Sequence, residues 1–312
     1  MDDAVNLGPR LFGSVGLHSA REPPSEGVCR AGLCGRSSRR YWVQRVGPAR
    51  SDSRSAFSFR DDFAGPAGTS PNTQIWATDI GNAEFDGWGN RELQYYTSGA
   101  DNVSLDGQGN LAITARRTPA GMYAPCWNGD TCPYTSGRVN SMGTVSLDIG
   151  HAEVRMKVSA GLGLWPAFWM LGGSPDSWPD DGEIDVAEIV GIELGIVNGT
   201  VHGPGYSDGR GITGEFDSEV HLSADFHTCA VDKSADSVSW SLDGTTYFEV
   251  HPEDLPPSAT WVFDRPFYLL LNLAVGGTMP GDPDLWTPFP ATLLVDYVSL
   301  DGIDASAGTT AR

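Results

Sequence analysis

The sequence predicts an all-β protein, built as an antiparallel two-sheet β-sandwich of the jelly-roll type. Short strand-like segments and turns recur from about residue 57 to residue 302, and no helical period of useful length is present. Glycine (39), proline (21) and tryptophan (10) are abundant, which favours strands and turns over long helices. No internal repeat or second domain is evident, so we expect a single large domain.

Charge is unevenly distributed along the 312 residues. Residues 1–57 contain nine arginines and five acidic residues, whereas the whole chain has a net charge of −20. The first segment mixes Gly, Pro, Ser and Arg without a sustained period, so we expect 1–57 to be disordered or non-native sequence. We expect 58–302 to form the folded domain and 303–312 to be a C-terminal tail.

The acidic composition bears on the possible partners. Such a domain repels phosphate backbones, so nucleic acid is not an expected partner, whereas a neutral substrate is compatible with it. No run of about 18 apolar residues is present, so we expect no membrane-spanning helix. Ser38-Arg39-Arg40-Tyr41-Trp42 is similar to a twin-arginine export signal, but the apolar segment that such a signal needs does not follow.

The chain has five cysteines: Cys29, Cys34, Cys126, Cys132 and Cys229. None of their spacings is C-x-x-C and histidines are few, so a zinc site is not expected. Cys126 and Cys132 bracket a turn-rich loop that a disulfide could close in an oxidising compartment, and this pairing is a hypothesis. Cys229 is expected to be a buried strand thiol rather than a nucleophile.

Alternation predicts the strands of the domain. Residues 59–63 and 73–76 precede a glycine- and asparagine-rich loop, and 103–107 and 111–115 read as two strands joined by a turn. The remaining segments with strand character are 150–158, 161–171, 181–189, 198–202, 226–231, 237–250, 267–275 and 293–300.

The segment 150–158 alternates cleanly between an apolar and a polar face. His151, Glu153, Arg155 and Lys157 share the polar face. That face could simply be exposed to solvent. Alternatively, a Glu153–Arg155 pair beside a carboxylate cluster would recognise sugar hydroxyl groups.

The segment 161–171 is apolar on both faces. Trp165 and Trp169 share one face, opposite Phe168 and Met170. Each tryptophan could belong to the core. Alternatively, the indole rings form an aromatic platform, because tryptophan faces suit the C–H-rich faces of sugar rings and the N–H can donate to hydroxyl groups.

The most informative segment is 181–189, where Glu183, Asp185 and Glu188 stand among small and β-branched apolar residues. Glu183 and Asp185 share a face because they are two residues apart. Strict alternation would turn Glu188 away, but a β-bulge at Val186-Ala187 would return it to the same face.

Three acids on one face repel one another and are costly to desolvate, so stability alone does not favour the pattern. A solvated polar face and a cation site are the alternatives. The functional interpretation is a retaining glycosidase, in which one carboxylate attacks the anomeric carbon and another, roughly 5–5.5 Å away, acts as acid and then base. His202, at the end of the next strand, could bind substrate or satisfy a buried backbone group.

These residues resemble glycoside hydrolase family 16, of the bacterial laminarinase type, over about 58–302. The family pattern Glu-x-Asp-x-x-Glu is matched by Glu183, Asp185 and Glu188. Four further segments match in the family's order: 90–96 (NRELQYY), 165–171 (WPAFWML), 202–206 (HGPGY) and 271–277 (LNLAVGG).

The resemblance implies a jelly roll with an open cleft on its concave sheet and endo-hydrolysis of β-1,3-glucan with retention. It makes Glu183 the nucleophile, Glu188 the acid/base and Asp185 the residue that adjusts their protonation. The bulge is the form seen in laminarinases, whereas strict β-1,3-1,4-glucanases usually lack it. By the same match, sugar subsites are lined by Asn90, Glu153, Arg155, Trp165, Trp169 and His202.

The resemblance also implies that catalysis needs no cofactor, although many members hold a structural calcium on the convex face. Asp296 would be a ligand and Asp62 could assist. The expected partner is a neutral β-glucan polysaccharide, and we expect a monomer with no membrane partner. Action on a polymer implies an extracellular protein, although no clear signal peptide is visible.

The chain departs from the family pattern at two places. Thr278-Met279-Pro280-Gly281 stands where relatives often have a Trp-Pro-Gly turn, so stacking at one subsite should be weaker. Asp232-Lys233 replaces a Glu-Trp pair, which affects local packing. The alternatives to an endo-1,3-β-glucanase are a mixed-linkage β-1,3-1,4-glucanase, a transglycosylase of the same family and a glucan-binding lectin that does not cut.

Overall fold

The structure is a computed structural model that describes residues 55–82 and 86–304. The predictions for residues 1–54, including Cys29, Cys34 and the segment 38–42, and for residues 305–312 lie outside the described residues. The first strand begins at Ser55 and the last ends at Asp304, so the folded domain extends slightly beyond the predicted limits of 58 and 302.

Strands dominate the described residues. In chain order they are β1 (Ser55–Asp61), β2 (Ala77–Thr78), β3 (Gln94–Tyr96), β4 (Val103–Leu105), β5 (Leu111–Arg117), β6 (Tyr134–Ser136), β7 (Arg138–Asn140), β8 (Ser146–Leu147), β9 (Ile149–Lys157), β10 (Leu164–Leu171), β11 (Glu183–Glu188), β12 (Ile196–His202), β13 (Ile212–Asp217), β14 (His227–Lys233), β15 (Val238–Leu242), β16 (Thr245–Val250), β17 (Phe267–Val275) and β18 (Ala291–Asp304).

Helical structure in the described part of the chain is limited to short turns. Three are single 3₁₀ turns, at Pro175–Ser177, Asp208–Arg210 and Pro252–Asp254. The fourth is an irregular turn at Gly87–Arg91. None of these segments has the length and apolar character needed to cross a bilayer.

The strands form two sheets. The ten-stranded sheet has the order β16-β15-β14-β9-β18-β5-β6-β3, with β1 also paired to β18 and β4 to β5. The eight-stranded sheet has the order β13-β12-β11-β10-β17-β7-β2, with β8 also paired to β17. The pairs are antiparallel apart from β3 with β6, which run parallel. The predicted all-β two-sheet architecture is confirmed.

The main core lies between the sheets. Val154 of β9 and Val231 of β14 belong to the same apolar cluster as Phe168 of β10 and Leu271 of β17. Fully burying such a side chain stabilises a fold by roughly 1.5–3 kcal/mol. The core therefore explains the alternation in the sequence, because every second residue of each strand points between the sheets.

Strand β17 is buried on both faces. Phe267, Leu269 and Leu271 point into the main core, whereas Tyr268 and Leu270 form a second small cluster with Leu171, against which Trp169 packs. The outer face of the eight-stranded sheet is thus partly apolar, and this second cluster supports the site described below.

Lys233 of β14 is buried between elements of the fold, with only 2% of its surface exposed. Its Nζ donates to the Asp148 backbone oxygen and lies 5.3 Å from the ring centroid of Phe267. Burial lowers the pKa of Lys233 to about 8, although the charges of Asp148 and Asp264 oppose this shift. The lysine that departs from the family pattern therefore occupies an interior position.

We expect Lys233 to make stability dependent on pH. Between pH 8 and 10.5 the unfolded chain keeps a proton on this lysine that the folded chain releases, so stability should rise with pH. Relative to Lys233→Met, the wild type should gain about 2 kcal/mol of unfolding free energy between pH 7 and pH 10. Urea unfolding of both proteins at several pH values measures this gain. Parallel stability curves would contradict it.

Candidate active site

The three predicted carboxylates lie on one face of β11. On the neighbouring strand β10, Trp169 is directly opposite Asp185 and Ala167 is opposite Glu188. Opposed residues of antiparallel strands share a face, so Glu183, Asp185 and Glu188 project together on the side away from the main core.

The predicted bulge is confirmed. Val186 has no partner on β10, where the register shifts between Phe168 and Trp169. On the other side, Gly199 of β12 lies opposite both Val186 and Ala187, because the register shifts there as well. The extra residue returns Glu188 to the face of the other two acids.

Trp240 supports the bulge from the opposite sheet. Its buried indole Nε1 donates to the Asp185 backbone oxygen at 2.8 Å. The ring reaches this oxygen by passing Gly199, where an added Cβ would lie 2.4 Å from a ring atom. A glycine at 199 is therefore required by the close approach of the indole.

Strand β12 contributes a cation to the acidic face. His202 is directly opposite Glu183, and its Nε2 lies 3.3 Å from Asp185 Oδ2. Ligand atoms of Glu183, Asp185 and His202 all lie within 4.8 Å of one another. The three side chains form a compact charged group on the face of the eight-stranded sheet.

Trp178 covers the acid strand from the loop that precedes it. Its indole Nε1 donates to Glu183 Oε2 at 2.5 Å, and its ring centroid lies 6.3 Å from that of His202. The side chain is 38% exposed. An exposed aromatic ring with its N–H on a carboxylate is well suited to contact a sugar at that carboxylate.

An aromatic–cation stack lies beside the acids. The guanidinium of Arg138 lies over two indoles, 4.5 Å from the ring centroid of Trp88 and 4.7 Å from that of Trp169. Arg138 also pairs with Asp79 at 2.8 Å. Trp88 has a φ of 60°, which is unusual for a bulky residue, so the Gly87–Arg91 turn is held in a specific conformation.

The remaining predicted subsite residues on this sheet also lie close to the acids or the stack. Asn90 belongs to the same turn as Trp88, and its backbone oxygen accepts from Thr278 N at 2.9 Å. Trp165 is 8% exposed and lies on the same face of β10 as Trp169. Its indole N–H has no partner of good geometry among the described residues.

The acids hold their protons more tightly than isolated glutamates do. Burial and the charge of Asp185 raise the pKa of Glu183 to about 8, against the opposing effects of His202 and the Trp178 N–H. Burial and the charges of Asp185 and Glu183 raise the pKa of Glu188 well above its usual value. The cluster therefore retains protons at neutral pH, which general acid catalysis requires.

His202 is held in its charged form. Burial alone would lower the pKa of His202, but its interaction with Asp185 and the charges of Glu183 and Glu188 outweigh that effect and raise the pKa to about 9. The imidazolium offsets part of the negative charge on β11. At neutral pH it also leaves the Asp185 carboxylate with a cationic neighbour.

The prediction that Glu153 and Arg155 line the sugar site is wrong. Both belong to β9, in the ten-stranded sheet, and point away from the core on the side opposite β11. There Glu153 accepts from the Tyr297 hydroxyl at 2.5 Å, and Arg155 donates to Asp296. Alternation identified their shared polar face correctly, but that face belongs to the other sheet.

The two predicted calcium ligands are ion-paired with arginines. The Asp296 carboxylate is engaged by the Arg155 guanidinium at 2.5 Å, and Asp62 is paired with Arg60 at 2.7 Å. Calcium binding by these residues stays a prediction.

The cysteine predictions agree with the structure. Cys126 and Cys132 form a disulfide, and Cys229 is a buried free thiol whose pKa burial raises to about 12. The disulfide closes the loop that carries Trp127, whose backbone N–H donates to the Asn82 side chain at 2.9 Å. This loop packs closely beside the Gly87–Arg91 turn: a Cβ added to Gly87 would overlap the Trp127 ring.

Three site residues were not predicted from the sequence. Trp178 lies in a turn before β11, Arg138 in the three-residue strand β7, and Trp88 in an irregular turn. No periodicity marks such short or irregular segments. The Gly-Trp-Gly-Asn sequence at 87–90 was the available indication of a constrained turn at Trp88.

Comparison with known proteins decides the family. The model of Glycosyl hydrolases family 16 matches residues 90–298. The chain belongs to this family, and it is a glycoside hydrolase. The matched segment contains the acid strand, both β10 tryptophans, Arg138 and His202.

Among related proteins, the beta-glucanase of Rhodothermus marinus is 38% identical over 244 residues, covering 73% of this chain and 79% of that protein. The endo-beta-1,3-glucanase structure from Pyrococcus furiosus is 40% identical with a TM-score of 0.72, covering 81% of this chain and 97% of that chain. The laminarinase catalytic domain from Thermotoga maritima is 37% identical with a TM-score of 0.71, covering 78% and 96%.

Gly199→Ala tests the support of the bulge by Trp240. The added methyl group would overlap the indole ring, so we expect a loss of about 1–3 kcal/mol in unfolding free energy. Gly209→Ala is the matched control, because an added Cβ there meets no atom within 4 Å. Chemical unfolding measures both variants. Equal stability of the two would show that the indole does not need the space at Gly199.

Asp185→Asn tests the origin of the charge on His202. Removing the Asp185 carboxylate removes the strongest interaction that favours the imidazolium, so the pKa of His202 should fall below about 9. NMR titration of the imidazole signals measures this pKa, with His202→Gln used for assignment. The signal of His227, whose partner is Asp243, serves as internal reference. An unchanged His202 titration would contradict the assignment.

Proposed function

We propose that this glycoside hydrolase cleaves β-1,3-glucan at internal positions with retention of anomeric configuration. The single observation that carries the proposal is the bulged strand β11, which presents two glutamates on one face with Asp185 between them, and Asp185 lies 3.3 Å from His202 of β12. Two carboxyl groups with perturbed protonation on opposite sides of a bond are what double displacement requires.

The first step forms a bond between Glu183 and the anomeric carbon. The ionised Glu183 carboxylate attacks as the glycosidic C–O bond breaks, and Glu188 transfers its proton to the leaving oxygen. Burial raises the pKa of both glutamates, and the His202 charge opposes that shift at both. Glu188 has two charged carboxylate neighbours, Asp185 and Glu183, whereas only Asp185 raises the pKa of Glu183 by its charge. The roles of the two glutamates follow the family pattern, and this second neighbouring carboxylate at Glu188 agrees with them.

The second step releases the sugar. Glu188, now ionised, removes a proton from water as the water oxygen attacks the anomeric carbon and the ester bond to Glu183 breaks. Glu188 is then protonated and Glu183 is again a carboxylate, so the site returns to its starting state. Side chains carry both steps, and no cofactor is required for either of them.

The surroundings of β11 favour a neutral sugar chain as substrate. Trp178 and the half-buried Trp88 and Trp169 supply aromatic surface beside the acids, and Arg138 is buried against the last two. Sugar rings bind such surfaces through their C–H faces and hydroxyl groups. The choice of β-1,3-glucan draws on the related structures, which are named endo-beta-1,3-glucanase and laminarinase.

Met279 is expected to affect how tightly one end of the substrate binds. It is 40% exposed, in the loop that follows β17 and whose Thr278 N–H donates to Asn90 O. A flexible thioether stacks on a sugar less well than an indole does. We further propose that the protein acts outside the cell, which the Cys126–Cys132 disulfide supports because such bonds persist in oxidising compartments.

Glu183→Gln tests the proposed mechanism. The amide cannot form the glycosyl ester, so release of reducing ends from laminarin should fall by roughly 10⁴-fold or more while the fold is retained. Glu249→Gln is the control, because Glu249 lies on β16 of the opposite sheet. Activity close to wild type in Glu183→Gln would rule out the assigned nucleophile.

The substrate is tested with laminarin, barley mixed-linkage glucan and agarose. Faster cleavage of laminarin by the wild type, with products that retain the anomeric configuration by NMR, supports the proposal. Cleavage of mixed-linkage glucan alone keeps the mechanism but overturns the substrate. Binding of glucan without release of reducing ends by the wild type overturns the hydrolase mechanism.

A further inference from the structure

A second carboxyl group is buried near the site without taking part in the proposed reaction. Glu92, which follows the Gly87–Arg91 turn, is 5% exposed. Its Oε2 accepts from Gln94 Nε2 and from the Tyr96 hydroxyl at 3.3 Å, and its Oε1 accepts from Asn90 Nδ2 at 3.2 Å. Three donors on one buried carboxyl group occupy most of its roughly four acceptor positions.

The hydrogen bonds continue from Glu92 to the site floor. The Tyr96 hydroxyl accepts from Asn272 Nδ2 at 3.1 Å, and Asn272 Oδ1 accepts from Trp169 Nε1 at 2.7 Å. Trp169 is directly opposite Asp185 across β10 and β11. A continuous hydrogen-bond chain therefore runs from Glu92 through Tyr96 and Asn272 to the indole of Trp169, beside the acid strand.

The hydrogen-bond chain from Glu92 fixes both the position and the orientation of Trp169. Its N–H is bound to Asn272 and is not free to donate to a sugar, and one face of its ring is covered by Arg138. The same acid holds Asn90 through the opposite oxygen. Asn90 and Trp169 belong to segments distant in sequence, and Glu92 ties them to a common anchor.

The anchor is itself rigidly attached to the sheet. Gln94, a donor to Glu92, accepts from Val275 N at 2.8 Å through its Oε1. Asn82 donates to the backbone oxygens of Glu92 and Gln94 at 2.9 and 2.8 Å. Glu92 is therefore held in place independently of any ligand.

We propose that Glu92 is a positioning residue that sets the relative placement of Asn90 and Trp169, and thereby the shape of the sugar-binding surface beside Asp185. This inference rests on the proposed glucan hydrolase function. In the described structure Glu92 bonds with the residues of this network and not with the acids of β11. It should therefore affect substrate binding and leave the chemical step largely unchanged.

Glu92→Gln and Tyr96→Phe interrupt the chain at two points. In Glu92→Gln the amide NH₂ faces at least one of the three donors in either orientation, and Tyr96→Phe removes only the hydroxyl between Glu92 and Asn272. For laminari-oligosaccharides we expect KM to rise roughly tenfold with kcat within about threefold of wild type and an unshifted pH profile. Tyr247→Phe is the control, because its buried hydroxyl has no partner among the described residues.

A second measurement does not depend on activity. Hydrogen exchange of the Trp169 indole N–H, assigned by NMR with Trp169→Phe, should accelerate in Tyr96→Phe and Glu92→Gln and stay unchanged in Tyr247→Phe. Wild-type KM and wild-type exchange in Tyr96→Phe would overturn the inference, and so would a loss of kcat at constant KM. If wild-type protein fails to cleave laminarin, the proposed function fails, and the exchange rates alone then decide whether Glu92 positions Trp169.

Discussion

Mutual repulsion among the carboxyl groups of β11 is the constraint on which the site depends. Glu183, Asp185 and Glu188 face the same side of one strand, and all are at least partly buried. Such an arrangement costs free energy through desolvation and like charge unless the surroundings offset it. The offset comes from protons retained on the glutamates, from the His202 cation and from the Trp178 N–H. The retained protons, the His202 cation and the Trp178 N–H thus stabilise the cluster, and they also set the protonation that the proposed reaction needs.

The sandwich supplies the rigidity that this constraint requires. The bulge in β11 is held from below by the Trp240 indole, which crosses the core to reach the Asp185 backbone oxygen past Gly199. The small apolar cluster of Leu171, Tyr268 and Leu270 packs against Trp169 on the same face as the acids. Trp240 does not touch substrate in the proposed mechanism. The indole and the cluster both fix the positions of the groups that do, because side chains on packed strands are placed more accurately than side chains on loops.

Alternation in the sequence predicted which residues of one strand share a face. It placed Trp165 with Trp169 and Glu183 with Asp185, and the five-residue spacing to Glu188 required the bulge that β11 has. Alternation says nothing about which sheet a strand joins. Glu153 and Arg155 were assigned to the site on their polar face, but β9 pairs with β14 and β18 in the other sheet. Those pairings join residues far apart in sequence.

The sequence pattern also did not predict which polar side chains are buried. The sequence indicated only a change of local packing at Asp232-Lys233, whereas Lys233 lies inside the fold beside Phe267. Arg138 lies in a three-residue strand that is too short to show a period, and its contacts are two indoles from other segments. Both positions depend on tertiary contacts that local propensity does not encode.

The degree of hydrogen-bond saturation separates two kinds of buried acid in this protein. Burial raises the pKa of Glu92 as it does those of Glu183 and Glu188. Glu92 nevertheless accepts from three donors, which occupy most of the acceptor positions of its carboxyl group. In the acid cluster, His202 Nδ1 and Trp165 Nε1 are buried without hydrogen bonds of good geometry among the described residues, and Asp185 Oδ2 has its ion pair with His202 Nε2 at 3.3 Å. Unmet hydrogen-bonding capacity is costly in the free protein and is recovered when a polar substrate binds. Glu92, with its three donors, therefore holds the surface in place, whereas the acid cluster is where the substrate is expected to bind and react.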